Sequence, residues 1–310
     1  MPEKEQNING NSFALVQKYS SDRPLAVVKA SGEDALEFLQ GQFTSDLSGL
    51  PDSGSTYGFL LTQKGRVFGD VFLRREDEEN WQILSWSLTS GDLVERLESY
   101  IIADDVELED ETESWMGWRI GATDESIASL VESTSALVVL DCAPDLNLPW
   151  RMAVIPRGEA FGWPEGWEQV AIGKFETARI DAEWPRVPYD LGEGDFPAEG
   201  GRHLHAISFT KGCYLGQEVV ARLAATGRLR RGLARVGGTG SSPVGEIELL
   251  QGDKTVGELR SRSASKDEAG WVGLAMMHQA RFDETQPVAT AAGRPLEFYG
   301  LLSDEVGSGD

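Results

Sequence analysis

The chain has 310 residues, 40% of them hydrophobic, which is enough for more than one packed core, and a formal net charge of −23. So acidic a surface repels nucleic acid and anionic membranes, and no stretch approaches the ~18 continuous apolar residues of a membrane span. Two cysteines, Cys142 and Cys213, are too few for a disulfide framework and suit a reducing compartment, with the cytoplasm expected.

Taken in order, Met1–Asn11 is polar and acidic, without the basic and then apolar pattern of a secretory signal. Pro24–Ala30 reads as a buried strand. Ser31, with Asp34 three residues on, reads as the cap of a helix whose apolar face is Ala35, Leu36, Leu39 and Phe43. Gly41 lies inside that helix and weakens it unless close packing requires a glycine. Thr56–Thr62 and Arg66–Leu73 form a hairpin about Gln63-Lys64-Gly65, and Trp81–Trp86 supplies a third strand. Ser90 caps the next helix, which carries Leu93, Val94, Leu97 and Ile101 at helical spacing. The acidic run Asp104–Glu113 reads as a solvated strand edge and turn, because neither a histidine nor a regular Asp-x-Asp pattern accompanies it as in a metal site.

From Trp115 the pattern repeats in outline. Trp115–Ala122, Ala136–Asp141 and Arg151–Pro156 read as strands, and Glu125–Glu132 and Gly173–Ala182 as helices. Two successive mixed modules predict α+β halves rather than a doubly wound parallel sheet. No GxGxxG or phosphate-loop motif supports a nucleotide-binding fold. Trp184–Arg202, rich in Pro, Gly and acids, either lines a site or simply connects. Beyond the linker-like Gly237–Ser242, short strands at Glu246–Leu250, Thr255–Arg260, Gly270–Met276 and Leu296–Leu301 predict a small β-barrel.

The chemistry concentrates in Ser208–Arg222. A short strand ending at Phe209 turns at Gly212 and Gly216 and leaves as a helix carrying Val219, Val220 and Leu223. Cys213 precedes that helix and stands two residues from Lys211, a setting that activates a thiol, while a small buried hydrophobe is the alternative. Arg222, Arg228, Arg230, Arg231 and Arg235 follow, as a positive rim for an anionic ligand tail or an RNA backbone, or as charge balancing. Asp181 and Glu199 are carboxylates able to accept paired N–H donors from an amino-pyrimidinone ring, or else solvated acids. His203, His205 and His278 read as loop polarity, since no third ligand stands at a zinc spacing. The nine tryptophans read mostly as core or rim, with one or two available to stack on a planar ligand.

Lys211–Glu218, KGCYLGQE, resembles the K-G-C-Y-x-G-Q-E signature of the folate-binding YgfZ family, relatives of the glycine-cleavage T-protein (aminomethyltransferase). Phe38–Asp46 (FLQGQFTSD) is similar to that family's F-L-Q-G-Q-x-T-N-D segment, and Lys64–Asp70 (KGRVFGD) to its K-G-R-x-x-x-D hairpin. Arg179–Ala182 resembles R-x-E-A, and Pro197-Ala198-Glu199 resembles P-x-E. The resemblance implies two ferredoxin-like α+β modules around a central channel plus a C-terminal β-barrel. Residues 1–235 would then be the folate-binding region, with an internal break near 113, and 236–310 the barrel.

It further implies tetrahydrofolate, or a one-carbon derivative, as cofactor. Asp181 would face the pterin, in place of the family's usual Glu, and Glu199 would be a second site acid. Tyr214, Gln217, Glu218 and Arg222 would be further binding residues, with the arginines toward the folate's anionic tail. T-proteins carry two adjacent acids in the hairpin beside the reactive folate nitrogen; here the pair reads Gly69-Asp70, and T-proteins lack the cysteine found at Cys213. Both differences point to the YgfZ-like role, folate-dependent support of iron–sulfur cluster assembly or repair and thereby of iron–sulfur tRNA-modifying enzymes. Cys213 would be its redox or sulfur-handling thiol, activated by Lys211, and Asp70 the remaining acid. One cysteine does not hold a cluster, which usually takes about four cysteine ligands, so no resident metal is expected. Iron–sulfur client proteins are the implied partners and a monomer is expected, with direct nucleic-acid binding not expected. A folate-dependent aminomethyltransferase is the alternative.

Overall fold

A computed structural model describes residues 14–18, 26–122, 124–133, 137–140, 150–158, 162–170, 172–201, 206–245 and 247–302. Cys142, His203 and His205 lie outside the described residues. The chain is α+β with a closed C-terminal barrel, and it divides into two compact units. Unit 1 comprises Met1–Leu61, Gly69–Ile172 and His205–Leu215; unit 2 comprises Thr62–Phe68, Gly173–Leu204 and Gly216–Asp310. Among the described residues no helix is long and apolar enough to cross a membrane.

Unit 1 contains β1 (Ala14–Lys18), β2 (Ala26–Ser31), α1 (Ala35–Gln42), β3 (Ser55–Leu61), most of β4 (Val67–Arg75), β5 (Asn80–Ser85), α2 (Ser90–Glu98) and β6 (Glu107–Asp110). It continues with β7 (Trp115–Gly121), α3 (Asp124–Ser133), β8 (Val138–Leu140), β9 (Arg151–Pro156) and β10 (Trp167–Gln169). One five-stranded sheet has the order β3-β4-β5-β2-β6. Its interior strand β2 is a nearly unbroken apolar run because both of its faces are covered. The acidic strand β6 takes the sheet edge, where exposed carboxylates discourage further pairing. The second sheet, β10-β1-β7-β9-β8, is antiparallel except for β1 against β10. Its core gathers Trp118, Ile120, Leu130 and Ile155, and Trp163 contacts both Trp118 and Trp167, stacking on the latter.

Unit 2 contains the body of α4 (Ile172–Asp181), α5 (Gln217–Thr226) and a closed barrel of β11 (Arg231–Thr239), β12 (Glu248–Gln251), β13 (Lys254–Ala264), β14 (Gly270–His278), β15 (Val288–Thr290) and β16 (Pro295–Leu301). The barrel core is built on Val236, Leu249, Val256, Leu259, Trp271 and Val288. Strand β11 opens at Arg231, so the boundary expected at 235/236 falls inside it. Also in unit 2, the hairpin glycine Gly65 (φ +69) lies against Gly216 (φ +82), the residue before α5. A Cβ at Gly216 would sit 2.7 Å from the Thr62 carbonyl oxygen, so both the left-handed backbone and the close approach require glycine there.

Several sequence expectations are corrected. Ser31 does not cap α1; it ends β2, and Asp34 stands at the helix start without a side-chain cap, its carboxylate accepting from Asp105 N. The cap of α2 is Thr89, one residue before the expected Ser90, with its hydroxyl accepting from Asp92 N. Gly41 is not required by packing, since a Cβ there would meet nothing within 4 Å. β1 and β10 carry no pattern strong enough to be seen in the sequence. His278 ends β14 rather than lying in a loop.

Candidate functional site

Within unit 1, the two most characteristic sequence segments meet. Thr44 Oγ1 and Ser45 Oγ both donate to the Ala206 carbonyl, and Ser208 N donates to Thr44 O. Lys211 Nζ donates to Phe43 O and Ser45 O at 2.7 Å each, and Leu215 N donates to Gly41 O. Segment 206–215 is therefore fastened along 41–46, just past the end of α1. Of the fastened residues Phe43, Thr44, Ser45, Ala206 and Lys211 are buried and Gly41, Ser208 and Leu215 half-buried, whereas Phe209, Thr210, Gly212 and Cys213 face solvent. Cys213 is a free, exposed thiol, which removes the buried-hydrophobe alternative.

Lys211, expected beside that thiol as its activator, is buried, and its ammonium is engaged by two backbone carbonyls. Burial pulls its pKa down to about 8, with the Asp46 charge acting in the other direction. Tyr214 is 6% exposed, and its hydroxyl has no hydrogen-bond partner among the described residues. Burial pushes its phenol up to about 12. The Lys211 ammonium lies 5.5 Å from the Tyr214 ring centroid.

Asp70 projects from β4, also in unit 1. Tyr57 on β3 donates its hydroxyl to Asp70 Oδ2 at 2.9 Å, and Ser87 Oγ accepts from Asp70 N. The residue as a whole is half-buried, but its carboxyl lies deep enough for burial to dominate its proton affinity. Burial raises its pKa, and hydrogen bonds from Ser87 and Tyr57 only partly counter this. The neighbouring Gly69 has no room for a side chain: a Cβ there would lie 2.5 Å from Leu88 Cδ1 and 2.6 Å from its Cγ. Leu88, itself buried, occupies the space that a second acid at position 69 would enter.

The acids of unit 2 have other partners. Asp181, the last residue of α4, accepts from Arg235 on Oδ1 and pairs with the exposed Lys266 through Oδ2 at 3.3 Å. These cations offset the poor placement of a carboxylate at a helix C-terminus. Glu199 is buried. Arg231 donates Nε to its Oε1 and Nη2 to its Oε2, and Oε2 also accepts from Phe196 N. Both oxygens are thus filled by a two-pronged arginine pair. Arg231 also pairs with Asp195, so for Arg231 and Arg235 the charge-balancing alternative holds. Arg222, Arg228 and Arg230 are exposed. Gln217 and Glu218 form the first turn of α5, Gln217 half-buried and Glu218 exposed.

Sequence reasoning missed Tyr57, Ser87 and Leu88. Tyr57 and Leu88 carry apolar weight in a strand and beside a helix cap, so nothing in the local pattern separates them from core residues.

Residues 23–122 match the GCVT N-terminal domain. A tRNA-modifying protein YgfZ from Vibrio atlanticus is 28% identical over 232 residues, covering 73% of this chain and 72% of that protein. The human iron–sulfur cluster assembly factor IBA57, mitochondrial, is 28% identical over 300 residues, covering 90% of this chain and 82% of that protein. Among solved structures, the glycine cleavage system aminomethyltransferase T from Bartonella henselae superposes with a TM-score of 0.75 at 14% identity, over 96% of this chain and 86% of that one. That likeness fixes the fold as T-protein-like.

Proposed function

From a chain that is a homologue of the YgfZ and IBA57 proteins, we propose a tetrahydrofolate-binding accessory factor that supports assembly or repair of iron–sulfur clusters in client enzymes, tRNA-modifying ones included. The observation that carries this reading is Cys213: an accessible thiol on a segment fastened at both ends, available to a client protein. It works as a monomer in a reducing compartment, the cytoplasm, where the thiol stays unpaired.

The donor set of unit 2 fits a pterin at one acid better than at the other. A pterin offers adjacent N–H donors and needs a carboxylate with an oxygen to give. Glu199 has none without releasing Arg231, so it serves as the anchor of that arginine. Among the described residues Asp181 keeps Oδ2 opposite only the exposed Lys266, and we assign the pterin contact to Asp181. The exposed Arg222, with Arg228 and Arg230 beyond it, suits the anionic glutamate tail, and Gln217 and Glu218 offer further polar contacts. Bound folate would supply one-carbon chemistry. In unit 1, Asp70 holds or releases a proton at its carboxyl, and the Tyr214 hydroxyl is a buried donor awaiting an acceptor.

The aminomethyltransferase alternative draws on the T-protein-like fold and the retained Asp70. Against it stands Leu88, which fills the place of the second hairpin acid. The test has two arms. In cells lacking the homologous factor, wild type is expected to restore an iron–sulfur tRNA-modifying enzyme, and Cys213→Ser to leave it at the level of no protein. In vitro, tetrahydrofolate is expected to raise the thermal midpoint, and Asp181→Ala to weaken that rise. No stabilisation at saturating tetrahydrofolate would remove the ligand from the proposal; full activity of Cys213→Ser would remove the thiol.

A further inference from the structure

Helix α1 has no basic residue in its last turn, so the negative end of its dipole and its last carbonyls must be met from elsewhere. Just past that end, Lys211 reaches in from across the sequence, with Nζ 2.7 Å from the oxygens of both Phe43, the C-cap, and Ser45. Four further bonds run alongside: Leu215 N to Gly41 O, Ser208 N to Thr44 O, and the Thr44 and Ser45 hydroxyls to Ala206 O. Between these attachments, Gly212 and Cys213 are exposed, and a Cβ at Gly212 would meet nothing within 4 Å. The segment is thus held on both sides of the thiol and left open at it. Two of the three donors of the Lys211 ammonium are spent on charge-assisted bonds to carbonyls inside the protein.

We infer that Lys211 is a positioning residue for Cys213, pinning segment 206–215 to the end of α1 so that the thiol is displayed at one fixed point. This rests on the proposed role of Cys213 as the working thiol. The groups facing Lys211 agree with a holding role. Asp46 is exposed and already accepts from Gln40 and Ser48, and Tyr214 presents the face of its ring. Among the described residues no carboxylate pairs with the ammonium directly, and its hydrogen-bond partners there are the carbonyls that fix the chain.

The experiment uses the full chain carrying Cys142→Ser, which leaves Cys213 as its single thiol. A nitroxide spin label on Cys213 is expected to give a slow-motion spectrum in the parent. In Lys211→Met the slow component is expected to be lost, and amide exchange across 208–215 to quicken by about tenfold or more. The pH profile of Cys213 alkylation by iodoacetamide is expected to keep its midpoint. Lys211→Gln, which retains a neutral donor for one carbonyl, is expected to fall between the two and serves if the Met variant does not fold. A label equally immobile in parent and variants would overturn the inference, as would an alkylation midpoint that moves upward when the lysine is lost, since that marks activation. The thiol's role is read separately: if Cys213→Ser still supports the client enzyme while Lys211→Met frees the label, the proposed function of the thiol fails and the pin stands.

Discussion

The two units treat buried charge in opposite ways. In unit 2 each buried acid meets a guanidinium: Asp190 meets Arg179 at 2.8 Å, with Ser261 and Arg186 N completing its shell, Glu199 and Asp195 meet Arg231, and the partly covered Asp181 meets Arg235. In unit 1 two covered ionisable groups meet neutral dipoles: Asp70 meets Tyr57 and Ser87, and Lys211 meets two carbonyls. Proton affinities follow. For Arg179 burial disfavours the charge, but Asp190 and Glu176 outweigh it and the net shift is upward, so the pair stays ionised. For Asp70 and Lys211 burial wins, and each moves toward its neutral form. Opposite charges hold both partners in their ionised forms, whereas with neutral partners burial moves a group toward its neutral form.

The sharpest way to break this contrast is Asp190→Asn. It leaves the buried Arg179 with Glu176 alone as counter-charge and is expected to cost about 3–5 kcal/mol in denaturant unfolding followed by a probe in unit 2. A loss below about 1 kcal/mol would mean that the pairing matters little. Next comes the alkaline limb of stability. Lys211 has a pKa of about 8 folded against 10.5 for the ordinary side chain, so between these values the unfolded chain binds more protons and stability rises with pH. The expected gain from pH 8 to 10 is at most about 2 kcal/mol, read by urea unfolding in steps of pH, and it should be absent in Lys211→Met. Tyr214 acts in the opposite sense only above pH 10, where the unfolded phenol ionises first.

The smallest effect is expected at Asp70. Its raised folded pKa means that its contribution is full below the unfolded carboxyl value of 3.8 and is lost as pH rises through the folded value. Asp70→Asn should therefore stabilise the protein at pH 7 by about 1 kcal/mol and give no gain below pH 3.8. Thermal midpoints at the two pH values check this. Equal shifts at both would show that packing rather than charge is responsible.

Much of the fold was legible along the chain. The hairpin of β3 and β4, the apolar spacing of α2 and the punctuated barrel strands all rest on neighbours within a few residues, where strand alternation and helical period speak directly. The strands β1 and β10 were not legible, because each is short and pairs with distant partners. At the site, the residue types of KGCYLGQE announced chemistry, yet the sequence did not show the partners of two of the site residues. Lys211 looked like a partner of Cys213 two residues away, but its amine reaches carbonyls at positions 43 and 45. Glu199 looked like an open acid, but Arg231 closes it.

By itself, then, the sequence determined the α+β modules, the barrel, the family likeness and the presence of a cysteine among glycines. Only the tertiary structure decided which charges are compensated and by what. Short-range periodicity is written in consecutive residues, whereas the field at a buried amine or carboxyl is set by whichever distant segments fold against it. That is how Cys213 came to be open, Lys211 buried and Asp70 without a counter-ion among the described residues, although nothing in their immediate neighbours distinguishes the three.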